Sequence, residues 1–251
     1  MDTLLLRLAA PMQSWGSNAK FDKRGTEREP TKSGVIGMLA AALGWTRDHD
    51  LSTLSECLRF GVRVDREGKL LTDLQIAKSA KNKFPTYREY LGDESKVDAT
   101  YLTYRDYLCD AIFLVGLEGS YELLEKLKMA LENPVFPLYL GRRSCPPEGR
   151  LVLEIARNKD LETALEDKPC LDLTEHRQGL GSYRILVEQH SLTPEAYIQR
   201  DQPISFHPER RVYGARLVVE SILDNANMVS LEDFKTENDF YDVVETYDER
   251  R

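Results

Sequence analysis

Residues 111–131 read AIFLVGLEGSYELLEKLKMAL, and the change of period inside this stretch decides the fold class. Ala111–Leu117 is a continuous apolar run of strand length, the best buried-strand candidate in the chain. From Tyr121 the apolar residues fall at Leu123, Leu124, Leu127 and Leu131, the spacing of an amphipathic helix with Ser120 at its N-cap. A Pro-rich return follows at Val135–Leu140. Upstream, Thr3–Ala9 (TLLLRLA) reads as a strand close to a core. Thr31 stands at the N-cap of a helix through Val35–Leu43, whose Gly34, Gly37, Ala40 and Ala41 give it a small face for close packing on a sheet. A second helix fits Leu51–Leu58, and Phe60–Val64 pairs with Leu70–Ala77 as a hairpin across Gly68.

Strand, helix, strand, insertion, strand, helix and return make the βαββαβ order of a ferredoxin-like (RRM-like) domain, an α+β fold. That domain covers residues 1–150, with an insertion at about 78–108. After Arg150, Leu151–Ala156, Ser182–Glu188 and Val212–Leu223 read as strands. Long polar connections, Asp167–Gly181 and Thr193–Pro208, join them into a small β-rich C-terminal subdomain over 151–229. Residues 230–251 are a terminal helix, with Ser230 and Asp233 as a capping box, or an acidic tail.

The chain has 251 residues, 34 Lys+Arg, 42 Asp+Glu and a net charge of −8. An acidic balance ordinarily argues against nucleic acid. Here the charge is unevenly spread: Glu220–Arg251 holds ten acids and three bases, −7, which leaves −1 on residues 1–219. The acidic end is therefore expected to face a basic partner or solvent, away from any RNA. The longest apolar stretch, Val35–Trp45, has 11 residues, against about 20 for a membrane span. With no leader-like segment and four widely spaced cysteines (57, 109, 145, 170), the expectation is a cytoplasmic protein with free thiols, no structural zinc and no membrane contact.

Three places suit an anionic partner. Gln13, Trp15, Lys20, Lys23, Arg24, Arg28, Lys32 and Ser33 lie beside a helix N-terminus, where free N–H groups favour phosphate. The alternative is a solvated loop, since Asp22, Glu27 and Glu29 offset those bases. Tyr139–Pro147 (YLGRRSCPP) makes a compact cationic turn through Arg142, Arg143 and Ser144, or an ordinary surface turn. The insertion holds Phe84, Tyr87, Tyr90, Tyr101, Tyr104 and Tyr107, with Lys78, Lys81, Lys83 and Arg88 ahead of the first acid. Rings interleaved with bases suit single-stranded nucleic acid; an ordinary hairpin packing its aromatics on its own scaffold is the bland reading. His49, His176, His190 and His207 sit in no catalytic or metal motif, so no enzyme activity, metal or cofactor is expected.

Four blocks carry a resemblance: LLLRLAAPMQSWG at Leu4–Gly16, PTKSGVIGMLAAALG at Pro30–Gly44, YRDYLCDAIF at Tyr104–Phe113 and YLGRRSCP at Tyr139–Pro146. Together they resemble the CasD family, the Cas-five branch of the RAMP superfamily in type I-E CRISPR surveillance complexes (Cascade). The region after Arg150 matches loosely, and the thumb tip, Ala80–Leu102, does not match closely. The resemblance implies a ferredoxin-like RAMP domain with a thumb between its middle strands. It implies a subunit that grips the 5′ handle of the crRNA and caps the assembly. Its partners would be the neighbouring backbone subunit and the large subunit, with target DNA reached only indirectly. By motif position, Arg105 and Tyr139 lead the handle contacts, with Arg142, Arg143 and Ser144 beside them. Gln13, Trp15, Lys23, Arg24, Lys32 and Ser33 follow from the N-terminal segment. Type I-C relatives cut precursor RNA, so a metal-independent repeat endoribonuclease is the alternative.

Overall fold

The computed structural model describes residues 1–16, 19–20, 22–78, 100–172, 182–207 and 209–224. In chain order the strands are β1 (Asp2–Ala9), β2 (Met12–Gln13), β3 (Ala19–Lys20), β4 (Lys23–Arg24), β5 (Arg59–Arg66), β6 (Lys69–Lys78) and β7 (Thr100–Cys109). They continue as β8 (Ile112–Gly119), β9 (Val152–Ala156), β10 (Ser182–Gln189), β11 (Tyr197–Ser205) and β12 (Val212–Asp224). The helices are α1 (Lys32–Ala42), α2 (Ser52–Glu56), α3 (Tyr121–Glu132) and α4 (Leu161–Asp167).

A seven-stranded sheet runs β11-β12-β10-β5-β8-β1-β9, with every neighbouring pair antiparallel. Central β8 is apolar from Ile112 to Leu117 because both its faces are covered. Leu4, Leu6 and Leu8 of β1 join the core beneath α1 and α3, while Leu5 points to the opposite face with Leu114, Ile185 and α4. The expected strand at Ala111–Leu117 is β8, in which only Glu118 is not fully buried. Thr31 caps α1 as expected, its hydroxyl accepting from the Gly34 N–H. Ser120 holds the N-cap position of α3, yet its side chain makes no capping hydrogen bond.

Several expectations change. Leu70–Ala77 does not pair with Phe60–Val64. Both edges of β5 are taken by β8 and β10, and the turn at Gly68 (φ +72°) sends β6 out of the sheet to pair with β7 from Lys69↔Cys109 to Lys78↔Thr100. Val135–Leu140 forms no strand: prolines 134 and 137 remove ladder donors. The edge of β1 is instead taken by β9, in the register Thr3↔Ala156. The polar stretch Thr193–Pro208 contains β11, an outermost strand in which only Asp201 and Pro203 are buried. The strands after Arg150 add to both edges of the sheet built by residues 1–119, so the sheet itself has no boundary at 150. A second, smaller sheet runs β2-β7-β4-β3, with β6 on β7. The centre of the expected insertion, 79–99, and the acidic end, 225–251, lie outside the described residues.

Candidate nucleic-acid interface

Where β1 leaves the large sheet, the chain turns through Gln13 and Ser14 and meets two basic segments. The first is the turn at Tyr139–Cys145. It closes on itself through Leu140 N–H to Cys145 O (2.7 Å) and Cys145 N–H to Arg142 O (2.9 Å). It is tied to the N-terminal segment by Ser14 N–H to Leu140 O (3.1 Å). Leu140 and Cys145 anchor it in the core. Gly141 has φ +87°, and a Cβ there would stand 1.6 Å from the Ser14 carbonyl oxygen, so only glycine fits.

Held this way, the two arginines diverge. Arg142 is half-buried: its Nη2 donates to Arg24 O at 2.7 Å, and its guanidinium lies 4.6 Å from the centre of the Tyr107 ring. Its Nη1 is buried and has no hydrogen-bond partner among the described residues. Burial pushes the Tyr107 hydroxyl up, but hydrogen bonds with Arg142 and Ser144 and the Arg142 charge outweigh it and lower its pKa. Burial raises the Cys145 thiol, which makes it a poor nucleophile. Arg143, Ser144 and Tyr139 are open to water.

The second segment is the ladder of β4 against β7, parallel, with Lys23 opposite Tyr104 and Arg24 opposite Arg105. Tyr104 N–H donates to Asp22 O at 2.7 Å and fixes the register. Lys23, Arg24 and Tyr104 are exposed, and Arg105 is half-buried, its Nε shielded and without a hydrogen bond. Across β7 from Arg105 stands Asp73, which accepts from Gln75. The next acid, Asp106, accepts from the Thr72 hydroxyl at 2.6 Å. The structure thus brings Lys23, Arg24, Arg105, Arg142, Arg143, Ser144 and Tyr139 to one region, where Arg105 Nε and Arg142 Nη1 are buried without a hydrogen-bond partner among the described residues.

The remaining expected contacts lie inside. Gln13 is fully buried and donates to Ala111 O (2.7 Å) and Leu8 O, while its Oε1 accepts from the Trp15 indole. Trp15 is 1% exposed, and Ser33 is mostly covered. Lys32 is also 1% exposed, its Nζ on both Glu188 oxygens at 3.0 and 2.8 Å. Burial lowers the Lys32 pKa more than Glu188 restores it. The free N–H at the α1 N-terminus is not open to phosphate either. Lys32 N–H donates to Asp201 Oδ2 at 2.7 Å, and Arg216 grips the same carboxylate at 2.6 and 2.9 Å. The anion expected at this helix end is therefore a carboxylate of the chain itself.

Beside the turn lies a cleft of about 570 Å³, lined by α1 and by Trp45, Arg47, Phe136, Tyr139, Arg211 and Tyr213 among others. Only Tyr139 of these six was legible as a site residue. The others come from three distant segments with no shared motif, and folding alone brings them together. Among the described residues no helix is long and apolar enough to cross a membrane, and no group of three His, Cys, Asp or Glu is placed to hold a metal ion.

A family model described as CRISPR-associated protein (Cas_Cas5) matches residues 3–219. The CRISPR system Cascade subunit CasD of Escherichia coli (strain K12) is 38% identical over 171 residues, 64% of this chain and 75% of that protein. A solved structure described as a Cas protein is 40% identical and superposes with a TM-score of 0.69, covering 91% of this chain and 98% of that one. A chain of a CRISPR RNA-guided surveillance complex is 32% identical with a TM-score of 0.73, covering 93% and 96%.

Proposed function

The chain belongs to the CRISPR-associated protein (Cas_Cas5) family, and on that premise we propose that it is a non-catalytic, RNA-binding subunit of a type I-E Cascade complex. It grips the 5′ handle of the crRNA and caps that end of the assembly. The observation that carries this reading is the clamped turn: Arg142 is fixed between Arg24 O and the Tyr107 ring, and Arg143 is presented to solvent beside the β4–β7 bases. Guanidinium forks on a rigid turn bind phosphate oxygens in pairs, and Tyr104 and Tyr139 offer open rings for stacking. Relatives at 38% and 32% identity named as a Cascade subunit and as part of an RNA-guided surveillance complex support the same assignment.

In this reading β1, α1, β5, β8, α3 and β9 are the ferredoxin-like unit, since β5-β8-β1-β9 is the antiparallel order that unit adopts. The β6–β7 ribbon is the base of the thumb, which inserts between the middle strands. The neighbouring backbone subunit and the large subunit are the protein partners, in the cytoplasm, and DNA is met only through the assembled complex.

The test is to co-express the full set of complex subunits with crRNA and compare wild type with Arg105→Ala and Arg142→Ala. The expected result is a complex of lower yield and lower RNA content. Unchanged yield and RNA content in both variants would refute the handle-binding role. Incubating the purified chain with repeat RNA in EDTA separates this reading from a metal-independent nuclease. Cleavage at one site would replace it.

A further inference from the structure

The clamped turn and the β4–β7 bases leave the cleft beside them without a role. At about 570 Å³, it falls within the roughly 300–1,000 Å³ of pockets that enclose a drug-sized ligand, the size class of a nucleotide. One side is α1, and the others are aromatic. The Trp45 ring stacks on His49, with centroids 5.4 Å apart and planes within 9°. Phe206 and Tyr213 meet at 6.1 Å, and Phe136 and Tyr139 come from the segment that leads into the turn. Phe136, Tyr139 and Tyr213 are exposed, so their rings are accessible. These walls are fixed before any ligand arrives. Val135 N–H and Phe136 N–H donate to the Ala42 and Ala41 carbonyls at the end of α1, at 3.0 and 3.3 Å, and Leu51 N–H donates to Ile204 O at 3.4 Å. A site ordered in advance loses little freedom on binding.

The charge of the lining sets the chemistry of the occupant. Arg47 and Arg211 line the cleft, are exposed, and make no ion pair among the described residues. No described carboxylate side chain lines it; Asp48, 3.6 Å from His207 Nε2, stands outside the lining. Accessible rings with unpaired guanidinium groups suit a ligand that is flat, aromatic and anionic, which describes a nucleotide. Tyr139 and Gly141 belong both to the cleft and to the turn that carries Arg142 and Arg143. A single strand with its phosphates on that turn therefore passes the mouth of the cleft. We propose that the cleft is a base pocket: one unstacked base of the bound RNA enters it against Tyr139 and Trp45, and the adjoining phosphate meets Arg47 and Arg211. This rests on the RNA-binding reading of the turn. The pocket gives the subunit a contact with a base where the turn grips only the backbone, and it fixes the register of the strand on the turn.

Two readouts test it on the full-length chain. Isothermal titration calorimetry with octauridine, and with an octamer of abasic ribose phosphate, gives two affinities that differ only through the bases. Tryptophan fluorescence locates the contact, because the chain has two tryptophans and Trp15 is 1% exposed, so quenching by RNA reports Trp45. The expected result is quenching by octauridine that Trp45→Phe abolishes, and octauridine binding about fivefold or more tighter than the abasic octamer. Phe136→Ala and Tyr213→Ala should shrink that margin and leave the abasic affinity unchanged. Equal affinities for the two octamers with no quenching overturn the proposal; loss of both affinities in Arg143→Ala would show that the RNA-binding reading of the turn survives it. No binding of either octamer refutes that reading and the pocket with it. Quenching by uridine monophosphate at the affinity of octauridine overturns the proposal in favour of a free-nucleotide site. Cleft variants that keep the octauridine margin but no longer co-purify with the other complex subunits also overturn it, and make the cleft a protein-docking site.

Discussion

Gly141→Ala is the sharpest perturbation of the basic turn. A Cβ at this position stands 1.6 Å from the Ser14 carbonyl oxygen, against ordinary contact at 3.4 Å or more. The turn therefore has to withdraw by roughly 2 Å. Withdrawal breaks the Ser14 N–H to Leu140 O bond, worth about 1 kcal/mol. Holding alanine at φ +87° adds ~1–2 kcal/mol. Partial exposure of Leu140 and Cys145, both buried, adds about 1 kcal/mol more. The expected loss is about 3–4 kcal/mol, which for a chain of this size lowers Tm by roughly 10 °C. Gly149→Ala is the matched control. It also has positive φ (+66°), but its Cβ meets only the movable end of Arg7 at 3.2 Å, so about 1–2 kcal/mol is expected. Thermal melts of both variants give the stabilities. Fluorescence anisotropy with crRNA, measured well below both melting points, gives the affinities. Only Gly141→Ala is expected to lose RNA binding, by tenfold or more, because it pulls Arg142 off Arg24 and Tyr107. Equal melting points for the two variants, or full RNA affinity in Gly141→Ala, would refute the clamped turn.

Further outcomes follow from the same geometry. Arg143→Ala removes an exposed side chain and should weaken crRNA binding with Tm within about 1 °C of wild type; Arg142→Ala should weaken binding and also lower Tm, because it loses the Arg24 carbonyl and the Tyr107 ring. Lys32→Met strands Glu188 in the interior and should cost about 3–5 kcal/mol, read by urea denaturation. RNA affinity should be unchanged where the variant is folded, and a selective loss of affinity would return Lys32 to the RNA site. Burial raises the Glu29 pKa above its ordinary value, against the opposing pull of Arg184. The folded state then holds more protons than the unfolded one between the two values. That contribution is fully present below the unfolded value of about 4.5 and is lost as pH rises through the folded one. Denaturation midpoints of wild type relative to Glu29→Gln should fall across that window, and parallel curves would remove Glu29 as the cause.

What the sequence made legible were the local signals. The Thr31 cap, the β8 run and the α3 stripe each depend on residues within a few positions of one another, and each lies where the spacing put it. The paired arginines of YLGRRSCP were legible for the same reason. The burial of Lys32 was not legible because its partners, Glu188 and Asp201, lie 156 and 169 residues away. No spacing rule reaches that far, so a lysine at a helix start looked like a phosphate ligand. The burial of Gln13 was hidden in the same way, since its partner carbonyl on Ala111 is 98 residues distant. The β5–β6 pairing failed because it assumed β5 had a free edge, and β10 takes that edge from the far end of the chain. β11 was hidden because an outermost strand needs no apolar alternation.

The same distances set a timetable for the molecule's birth. A ribosome adds ~5–20 residues per second, so Lys32 emerges roughly 8–30 s before Glu188 exists to neutralise it. Over that interval the β5 edge later covered by β10 is bare, and the nascent chain offers other strands a template for mispairing. The β11-β12-β10 side of the large sheet cannot close early, because those strands come from residues 182–224, whereas β5, β8, β1 and β9 are complete by Ala156. Completion of the sheet therefore waits for the last third of the chain, and the long loop closed by the β5–β10 pairing slows it. The subunit's yield in a cell depends on what shields the half-made sheet until the last strands arrive.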